Sequence, residues 1–166
     1  MDNILGYAYL LGDDINTDDI VPSYTLTMRD ACEMAKHTLE YIDPNFAKNA
    51  LKNLIIVAGH NFGTGSSREE AVNVFKILGI KAIIAKSFSR IYFRNLINNG
   101  MMSIICDWNE RLISNGDELV ISIEHGKIQN KTKDNVIEFK NLPPFLKELI
   151  ESGGILNQLK RNLKLD

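Results

Sequence analysis

Two joined segments decide the fold: Leu54-Ile55-Ile56-Val57-Ala58, and directly after it Gly59-His60-Asn61-Phe62-Gly63-Thr64-Gly65-Ser66-Ser67-Arg68-Glu69-Glu70. The first is an uninterrupted apolar run rich in β-branched residues, which is typical of a strand buried on both faces. We therefore expect it to be a central strand. Beyond the glycine-rich segment, apolar residues recur at helical spacing over 68–78, and Gly79 ends that predicted helix.

The same alternation of strand and helix continues along the chain. Residues 82–85 predict a second buried strand, residues 89–98 a second helix and residues 102–106 a third strand. Short connections between such elements favour parallel pairing through right-handed crossovers. After Trp108 the segments 118–123 and 136–139 alternate in polarity, which predicts antiparallel strands on a barrel-like edge.

The flanks of the chain complete the prediction. Residues 4–11 predict a strand that runs into a loop over 12–20, because Asp, Asn and Gly dominate there. Asp30 is expected to cap a helix that reaches His37 or beyond, and a short helical piece follows over 46–51. Two helices close the chain, one that begins at Pro143-Pro144 and runs to about Ser152, and one from 155 onwards. This order predicts an α/β fold, one domain over residues 1–166, with a mixed, partly parallel sheet flanked by helices.

Composition limits the possible partners and cofactors. The chain has 166 residues, of which 45% are hydrophobic and 24% charged, with a formal net charge of −2. That balance predicts neither a nucleic-acid nor an anionic-membrane partner. Two cysteines are too few for a structural zinc site or for a cluster held by one chain, so no metal ligand is expected. Neither a basic leader nor an apolar run of ~20 residues is found, and we expect a cytoplasmic protein.

The loop between the first buried strand and its helix is the strongest candidate for a functional site. Glycines such as Gly65 let a ligand approach the backbone, while Ser66, Ser67 and Arg68 could hold a carboxylate at the expected helix N-terminus. The structural alternative is a capping box, with Ser66 paired to Glu69 or Ser67 to Glu70. The loop has no P-loop, dinucleotide or nucleophile-elbow pattern, so a nucleotide fold is only a weak alternative.

Three motifs in this sequence resemble motifs in the small subunits of 3-isopropylmalate dehydratase and homoaconitase. In aconitase, which belongs to the same family, the corresponding region forms the swivelling domain. In chain order they are Asn16-Thr17-Asp18-Asp19-Ile20-Val21-Pro22, Asn61-Phe62-Gly63-Thr64-Gly65-Ser66-Ser67-Arg68-Glu69, and Ser87-Phe88-Ser89-Arg90-Ile91-Tyr92-Phe93-Arg94-Asn95 with Asn98-Asn99-Gly100. The resemblance covers roughly residues 1–107, with matching order and spacing.

The resemblance implies a swivelling β/β/α domain that closes over a large subunit carrying a [4Fe–4S] cluster, so this chain would bind no cofactor itself. It also implies that Ser66, as its alkoxide, takes a proton from a small hydroxy-dicarboxylic acid, which is then dehydrated and rehydrated. Arg68 and the amide of Ser67 would hold a substrate carboxylate, and Thr17 and Asp18 would support catalysis. We expect the helix N-terminus and Arg68 to stabilise the alkoxide.

The residues that select the substrate are expected to lie between Pro22 and Asp30. In the family this loop covers the variable group of the substrate, so Leu26 and Met28 favour the isopropyl group of isopropylmalate, whereas Arg29 favours the extra carboxylate of homoaconitate. Thr25 interrupts the more common Tyr-Leu pattern of the family.

Several alternatives stay open at this point. The favoured interpretation is the small subunit of a hydro-lyase that isomerises 3-isopropylmalate. Homoaconitate and 2,3-dimethylmalate are alternative substrates, and a non-enzymatic anion-binding regulatory domain is the alternative from another class. The helix with Arg90 and Arg94 is expected to support the serine loop or a subunit interface. A homo-oligomer of the isolated chain is also possible.

Overall fold

The computed structural model describes residues 3–50 and 53–164, and within them seven strands form one sheet in the order β4-β3-β2-β1-β5-β6-β7. The strands are β1 (Ile4–Leu10), β2 (Leu54–Ala58), β3 (Ala82–Ala85), β4 (Ser103–Ile105), β5 (Glu118–Ser122), β6 (Lys127–Asn130) and β7 (Asn135–Glu138). The helices are α1 (Thr17–Ile20), α2 (Ala31–Ala35), α3 (Phe46–Asn49), α4 (Glu70–Ile77), α5 (Arg90–Asn98), α6 (Pro144–Glu151) and α7 (Ile155–Leu163), with a 3₁₀ helix at Ser23–Thr27.

Half of the sheet is parallel, as the alternation predicts. Strands β1 to β4 pair in parallel, with Tyr9 opposite Ile56 and Ile56 opposite Ile83. All five residues of β2 are buried, so the expected inner strand is confirmed. The middle position of the sheet, however, belongs to β1, which pairs in parallel with β2 and antiparallel with β5.

The other half of the sheet is antiparallel and curls. Strands β5, β6 and β7 pair antiparallel, as predicted for β5 and β7, but β6 was not predicted. The sequence of β6 does not predict a strand because Asn130, a fully buried polar residue at an inward position, breaks the apolar alternation. The sheet curls until Cys106, just after β4, lies with its Sγ 4.0 Å from the carbonyl oxygen of Glu138.

Each face of the sheet buries its own apolar core. On one face Ile56 and Ile83 pack against α4 and α5 through side chains such as Phe75 and Leu96. On the other face Ile55 and Ile84 pack against the curled half of the sheet. The odd and even residues of β2 therefore serve different cores, which is why its sequence shows no polar alternation.

Several local expectations need correction. Residues 12–20 are not all loop, because Asn16 forms a capping box with Asp19 and starts the single turn α1. Asp30 does cap α2, but that helix ends at Ala35. Helix α3 ends at Asn49, and the predicted end at Leu51 lies outside the described residues. No helix in the described part of the chain is long and apolar enough to cross a membrane.

Candidate active site

Two loops meet at the carboxyl edge of the parallel strands, where α/β sheets commonly bind ligands. One follows β1 and the other follows β2. The Gly63 amide donates to the Ile15 carbonyl at 2.7 Å, and the Thr17 amide donates to the Thr64 carbonyl at 2.8 Å. This short backbone pairing brings Thr17 and Ser66 together although 49 residues separate them in the chain.

Two glycines make that approach possible. Gly63 has φ +80°, and a Cβ there would lie 2.0 Å from Cδ1 of Tyr92, so the loop lies directly on the tyrosine ring of α5. Gly65 has φ +100°, and its Cβ would lie 3.1 Å from the Thr17 hydroxyl. A side chain at either position would be strained by the backbone conformation as well as crowded.

Ser66 and Thr17 form a hydroxyl pair. Their oxygens lie 3.1 Å apart, and either hydroxyl can be the donor. The Ser66 amide also donates to the Thr17 hydroxyl oxygen at 3.0 Å. With one of its lone pairs already used by that amide, the Thr17 hydroxyl is well placed to donate its own proton to Ser66 Oγ. That arrangement would stabilise negative charge on Ser66.

Arg68 and Asp18 form an ion pair beside the hydroxyl pair. Arg68 Nη1 donates to Asp18 Oδ1 and to the Val21 carbonyl, both at 3.1 Å, and Nη2 donates to Ser23 Oγ at 3.2 Å. These three bonds leave two of the five guanidinium N–H groups without an acceptor among the described residues. Hydrogen bonds from Ser23 and then from Arg68 hold the pKa of Asp18 below its ordinary value.

The predicted helix N-terminus is wrong at this site. Helix α4 begins at Glu70, two residues later than predicted, and its N-cap Glu69 makes no side-chain capping bond, so neither proposed capping box forms. The helix dipole acts mainly at the first turn, which here contains Glu70 and lies beyond Ser66. Arg68 is also directed at Asp18 rather than at Ser66. The expected stabilisation of a Ser66 alkoxide by the helix N-terminus therefore has no support here.

Free amides of the loop offer another source of positive potential. The N–H groups of Gly65 and Ser67 have no acceptor among the residues that the structure describes, and both residues are exposed. Helix α5 fixes this turn, because Asn95 Nδ2 donates to the Ser67 carbonyl at 2.9 Å. The expectation that this helix supports the serine loop is thus confirmed at Asn95, whereas Arg90 and Arg94 are exposed.

If this chain forms the two-subunit enzyme that the resemblance implies, replacing Asn95 by alanine should lower kcat/KM of that enzyme roughly tenfold, since the loop loses a hydrogen bond worth about 1 kcal/mol and its amides become less well aligned. Steady-state kinetics of the reconstituted enzyme would measure this. Asn98→Ala, on an exposed position of the same helix, is the matched control and should stay within about twofold of the parent. Equal effects of the two variants would contradict the role assigned to Asn95.

The expected substrate-selecting residues occupy different environments. Leu26 is 38% exposed, and Arg29 is exposed as well. Met28, in contrast, is half-buried and packs against the core that holds α4. Of the two apolar residues in the prediction, only Leu26 presents its side chain to solvent in this conformation.

Sequence reasoning missed the contacts of Ser23. Its amide and hydroxyl both donate to Asp18 Oδ1, the amide at 2.8 Å. It also missed a neighbouring cluster in which the Tyr24 hydroxyl bonds His37 Nδ1 at 3.0 Å and the Glu40 carboxylate. An isolated Ser-Tyr pair in a polar segment carries no signal for either contact.

The residues that the structure describes do not form a metal centre. Among residues 3–50 and 53–164, no group of three or more His, Cys, Asp and Glu side chains is arranged to hold a metal. Cys32 is an exposed free thiol on α2. Cys106 is buried in the core on the face of the sheet away from α4 and α5, and this burial raises the pKa of its thiol to about 11.

The Ser66 end of the hydroxyl pair is the more accessible one, because Thr17 is buried. A cavity of about 600 Å³ lies nearby at the carboxyl edge of the sheet, lined by Gly59, Lys86 and Trp108 among others, but not by Thr17, Asp18 or Ser66. Ser66 and Arg68 are half-buried, and Gly65 and Ser67 are exposed. The chain therefore presents one wall of a site and leaves the opposite side uncovered.

Fold and site together define an α/β domain that carries a hydroxyl pair and an ion pair on two loops at the carboxyl edge of its parallel strands. Comparison with known proteins agrees: the profile of the family "Aconitase C-terminal domain" matches residues 20–108. The 3-isopropylmalate dehydratase small subunit 1 of Archaeoglobus fulgidus is 46% identical over 156 residues, which is 94% of this chain and 96% of that protein. The methanogen homoaconitase small subunit of Methanocaldococcus jannaschii is 42% identical over 158 residues, 95% of this chain and 92% of that protein.

A solved structure gives the same result. The crystal structure of a 3-isopropylmalate dehydratase from Methanocaldococcus jannaschii superposes with a TM-score of 0.92 at 41% identity, covering 99% of this chain and 97% of that one. The chain belongs to the aconitase C-terminal domain family, among the small subunits of dehydratases of this kind.

Proposed function

We propose that this chain is the small subunit of a two-subunit hydro-lyase that interconverts 2-isopropylmalate and 3-isopropylmalate by dehydration and rehydration. The observation that carries the proposal is the Ser66–Thr17 hydroxyl pair on an open loop beside the Asp18–Arg68 ion pair, in a chain of this family. The substrate follows the names of relatives such as the Archaeoglobus fulgidus small subunit.

In this proposal Ser66 removes the proton from the substrate carbon. The Oγ of Ser66 acts as its alkoxide, accepts the C–H proton and becomes a neutral hydroxyl, while the C–H electron pair forms the double bond and the neighbouring hydroxyl leaves with its bonding pair as hydroxide. The hydroxide takes up one proton from solvent to form water, and Ser66 returns one proton to solvent to become the alkoxide again. The Thr17 hydroxyl at 3.1 Å would stabilise the alkoxide before the proton arrives. Rehydration reverses these steps with the hydroxyl on the other carbon.

Arg68 and the loop amides would bind a substrate carboxylate. The two free N–H groups of Arg68 can donate to one carboxylate oxygen pair, and the free amides of Gly65 and Ser67 can donate to another oxygen of the substrate. Asp18 would keep the guanidinium in place and take part in proton movement at the site. These roles extend the predicted ones, with the loop amides taking the place of the helix N-terminus.

The cluster is proposed to belong to the partner. The two cysteines of this chain are on opposite faces of the sheet and cannot supply the thiolates of a [4Fe–4S] cluster. We therefore propose that a large subunit carries it, and no step assigned to this chain passes through it. The small-subunit names of the relatives support such a partner, and the two free thiols agree with a cytoplasmic location.

Purified large subunit and this chain, mixed and assayed on isopropylmalate, homoaconitate and 2,3-dimethylmalate, would test the proposal. We expect turnover of isopropylmalate only when both chains are present. Preference for homoaconitate or dimethylmalate would replace the substrate but keep the mechanism. Anion binding without turnover of any of the three would instead favour the regulatory-domain alternative.

Homoaconitate is the second candidate, because Arg29 is exposed and has no hydrogen-bond or ion-pair partner among the described residues, and because a homoaconitase small subunit is 42% identical. If Arg29 binds a third substrate carboxylate, Arg29→Leu should reduce homoaconitate turnover about 10- to 100-fold and spare isopropylmalate. Our primary proposal expects little homoaconitate turnover by either the parent enzyme or the Arg29→Leu variant. Intact homoaconitate turnover in Arg29→Leu would remove the charge argument for that substrate.

A further inference from the structure

Ser23 touches both members of the Asp18–Arg68 ion pair. Its amide donates to Asp18 Oδ1 at 2.8 Å, and its hydroxyl donates to the same oxygen. The hydroxyl oxygen also accepts Arg68 Nη2 at 3.2 Å. Since Arg68 Nη1 reaches Asp18 Oδ1 as well, at 3.1 Å, the three residues close a ring of hydrogen bonds.

Closing this ring requires a group that donates and accepts at once. A hydroxyl does both, whereas an alanine does neither and a lysine or an amide nitrogen only donates. All the recorded bonds of the Asp18 carboxylate converge on Oδ1, so Oδ2 has no partner among the described residues. The ring therefore holds the carboxylate in one orientation and leaves its second oxygen available.

Ser23 is also the first residue of the 3₁₀ helix that leads to Leu26 and Arg29. The next residue, Tyr24, anchors the same helix to the turn after α2 through His37 and Glu40. Consecutive residues of this helix thus bond to two different parts of the fold. One anchor is the proposed catalytic ion pair, and the other is the turn that follows α2.

We infer that Ser23 is a positioning residue, whose hydroxyl fixes the Asp18–Arg68 pair relative to the segment proposed to select the substrate. This inference rests on the proposed function, because it assigns Ser23 to that site. Ser23 touches no reacting atom in this account. It acts by setting where the Asp18 carboxylate and the Arg68 guanidinium lie when the substrate arrives.

The pKa of Asp18 distinguishes this role from a merely structural one, because a structural serine would not affect that pKa. The Ser23 hydroxyl is the largest cause of the lowered pKa of Asp18, followed by Arg68. Arg68 is the one charged side chain recorded in contact with Asp18 in the described part of the chain, since Asp19 is turned towards the Asn16 amide. Loss of the hydroxyl should raise the pKa of Asp18 towards its ordinary value and leave Asp18 ionised at pH 7.

The test compares Ser23→Ala, Ser23→Thr and Ser122→Ala. Ser122 lies on β5, outside the segment from Pro22 to Asp30, and its hydroxyl is bonded to His125 Nδ1 at 3.0 Å, so Ser122→Ala removes a hydroxyl without touching the ring. Carboxyl-carbon NMR titration of the full-length chain gives the pKa of Asp18. Kinetics of the reconstituted enzyme on isopropylmalate gives kcat/KM and its acid limb.

We expect Ser23→Ala to raise the pKa of Asp18, to shift the acid limb upward and to lower kcat/KM about 5- to 20-fold at pH 7. Ser23→Thr should keep all three values near those of the parent, and Ser122→Ala should change none. An unchanged pKa and unchanged kcat/KM in Ser23→Ala would overturn the inference. If the pKa shifts but Ser66→Ala keeps full turnover, the ring stands and the proposed function fails instead.

Discussion

Ser66→Ala is expected to abolish turnover by the reconstituted enzyme, with a loss of at least about a thousandfold in kcat, because Ser66 is the group proposed to take the proton from the substrate carbon. The Ser66 hydroxyl contacts the Thr17 hydroxyl at 3.1 Å, whereas the two loops are held together by backbone hydrogen bonds. Ser66→Ala removes the first contact and keeps the backbone bonds. Assembly with the large subunit should therefore survive. Steady-state kinetics and size-exclusion chromatography of the mixed subunits measure the two effects separately.

Ser67→Ala is the matched comparison for this variant. It removes the neighbouring hydroxyl but keeps the amide proposed to bind substrate and the carbonyl that accepts Asn95. We expect a loss of less than about tenfold, because the proposed contact is through the backbone. Comparable losses in the two variants, or a Ser66→Ala enzyme that keeps more than a tenth of its activity, would contradict the role of Ser66.

Gly63→Ala is expected to destabilise the chain by about 3–5 kcal/mol, the largest stability effect that we foresee from one methyl group. The added Cβ would lie 2.0 Å from the Tyr92 ring, which is fully buried and bonded through its hydroxyl to the Ala71 carbonyl. Either the ring or the loop has to move, and movement of the loop separates Ser66 from Thr17. Denaturant unfolding of the isolated chain measures the loss.

Gly79→Ala separates the steric overlap from the cost of backbone conformation. Gly79 has φ +76°, close to the +80° of Gly63, but an added Cβ there meets nothing within 4 Å. The Gly79 variant should therefore lose only about 1 kcal/mol. If both variants lost the same stability, the close packing of the loop on Tyr92 would not be what fixes the site.

Much of the fold could be predicted because several of its strands are encoded by short apolar runs in the sequence. The runs at β2 and β3 are fully apolar and bounded by polar or glycine residues, and such runs pair in parallel when helices connect them. The start of α4 could not be predicted the same way. Ser66 and Ser67 look like helix caps, but their backbone groups bond Thr17 and Asn95, which are distant in sequence. Tertiary partners replaced the local cap.

The candidate site was predictable as a set of motifs and not as a geometry. The motifs around Thr17 and Ser66 resemble those of the family, and the structure brings both residues together. Nothing local indicates that Arg68 bonds Asp18 and Val21, or that Ser23 completes the ring. Each of these contacts joins residues at least 45 positions apart, or depends on a 3₁₀ turn with no strong sequence pattern.

A crystal structure of the assembled enzyme with a bound hydroxy-dicarboxylic acid would test the central claim most directly, through the distance from Ser66 Oγ to the carbon that loses hydrogen. We predict about 3–3.5 Å, with a substrate carboxylate on Arg68 and the loop amides. A Ser66 side chain turned away from the substrate, with another group of either subunit next to that carbon, would contradict the account.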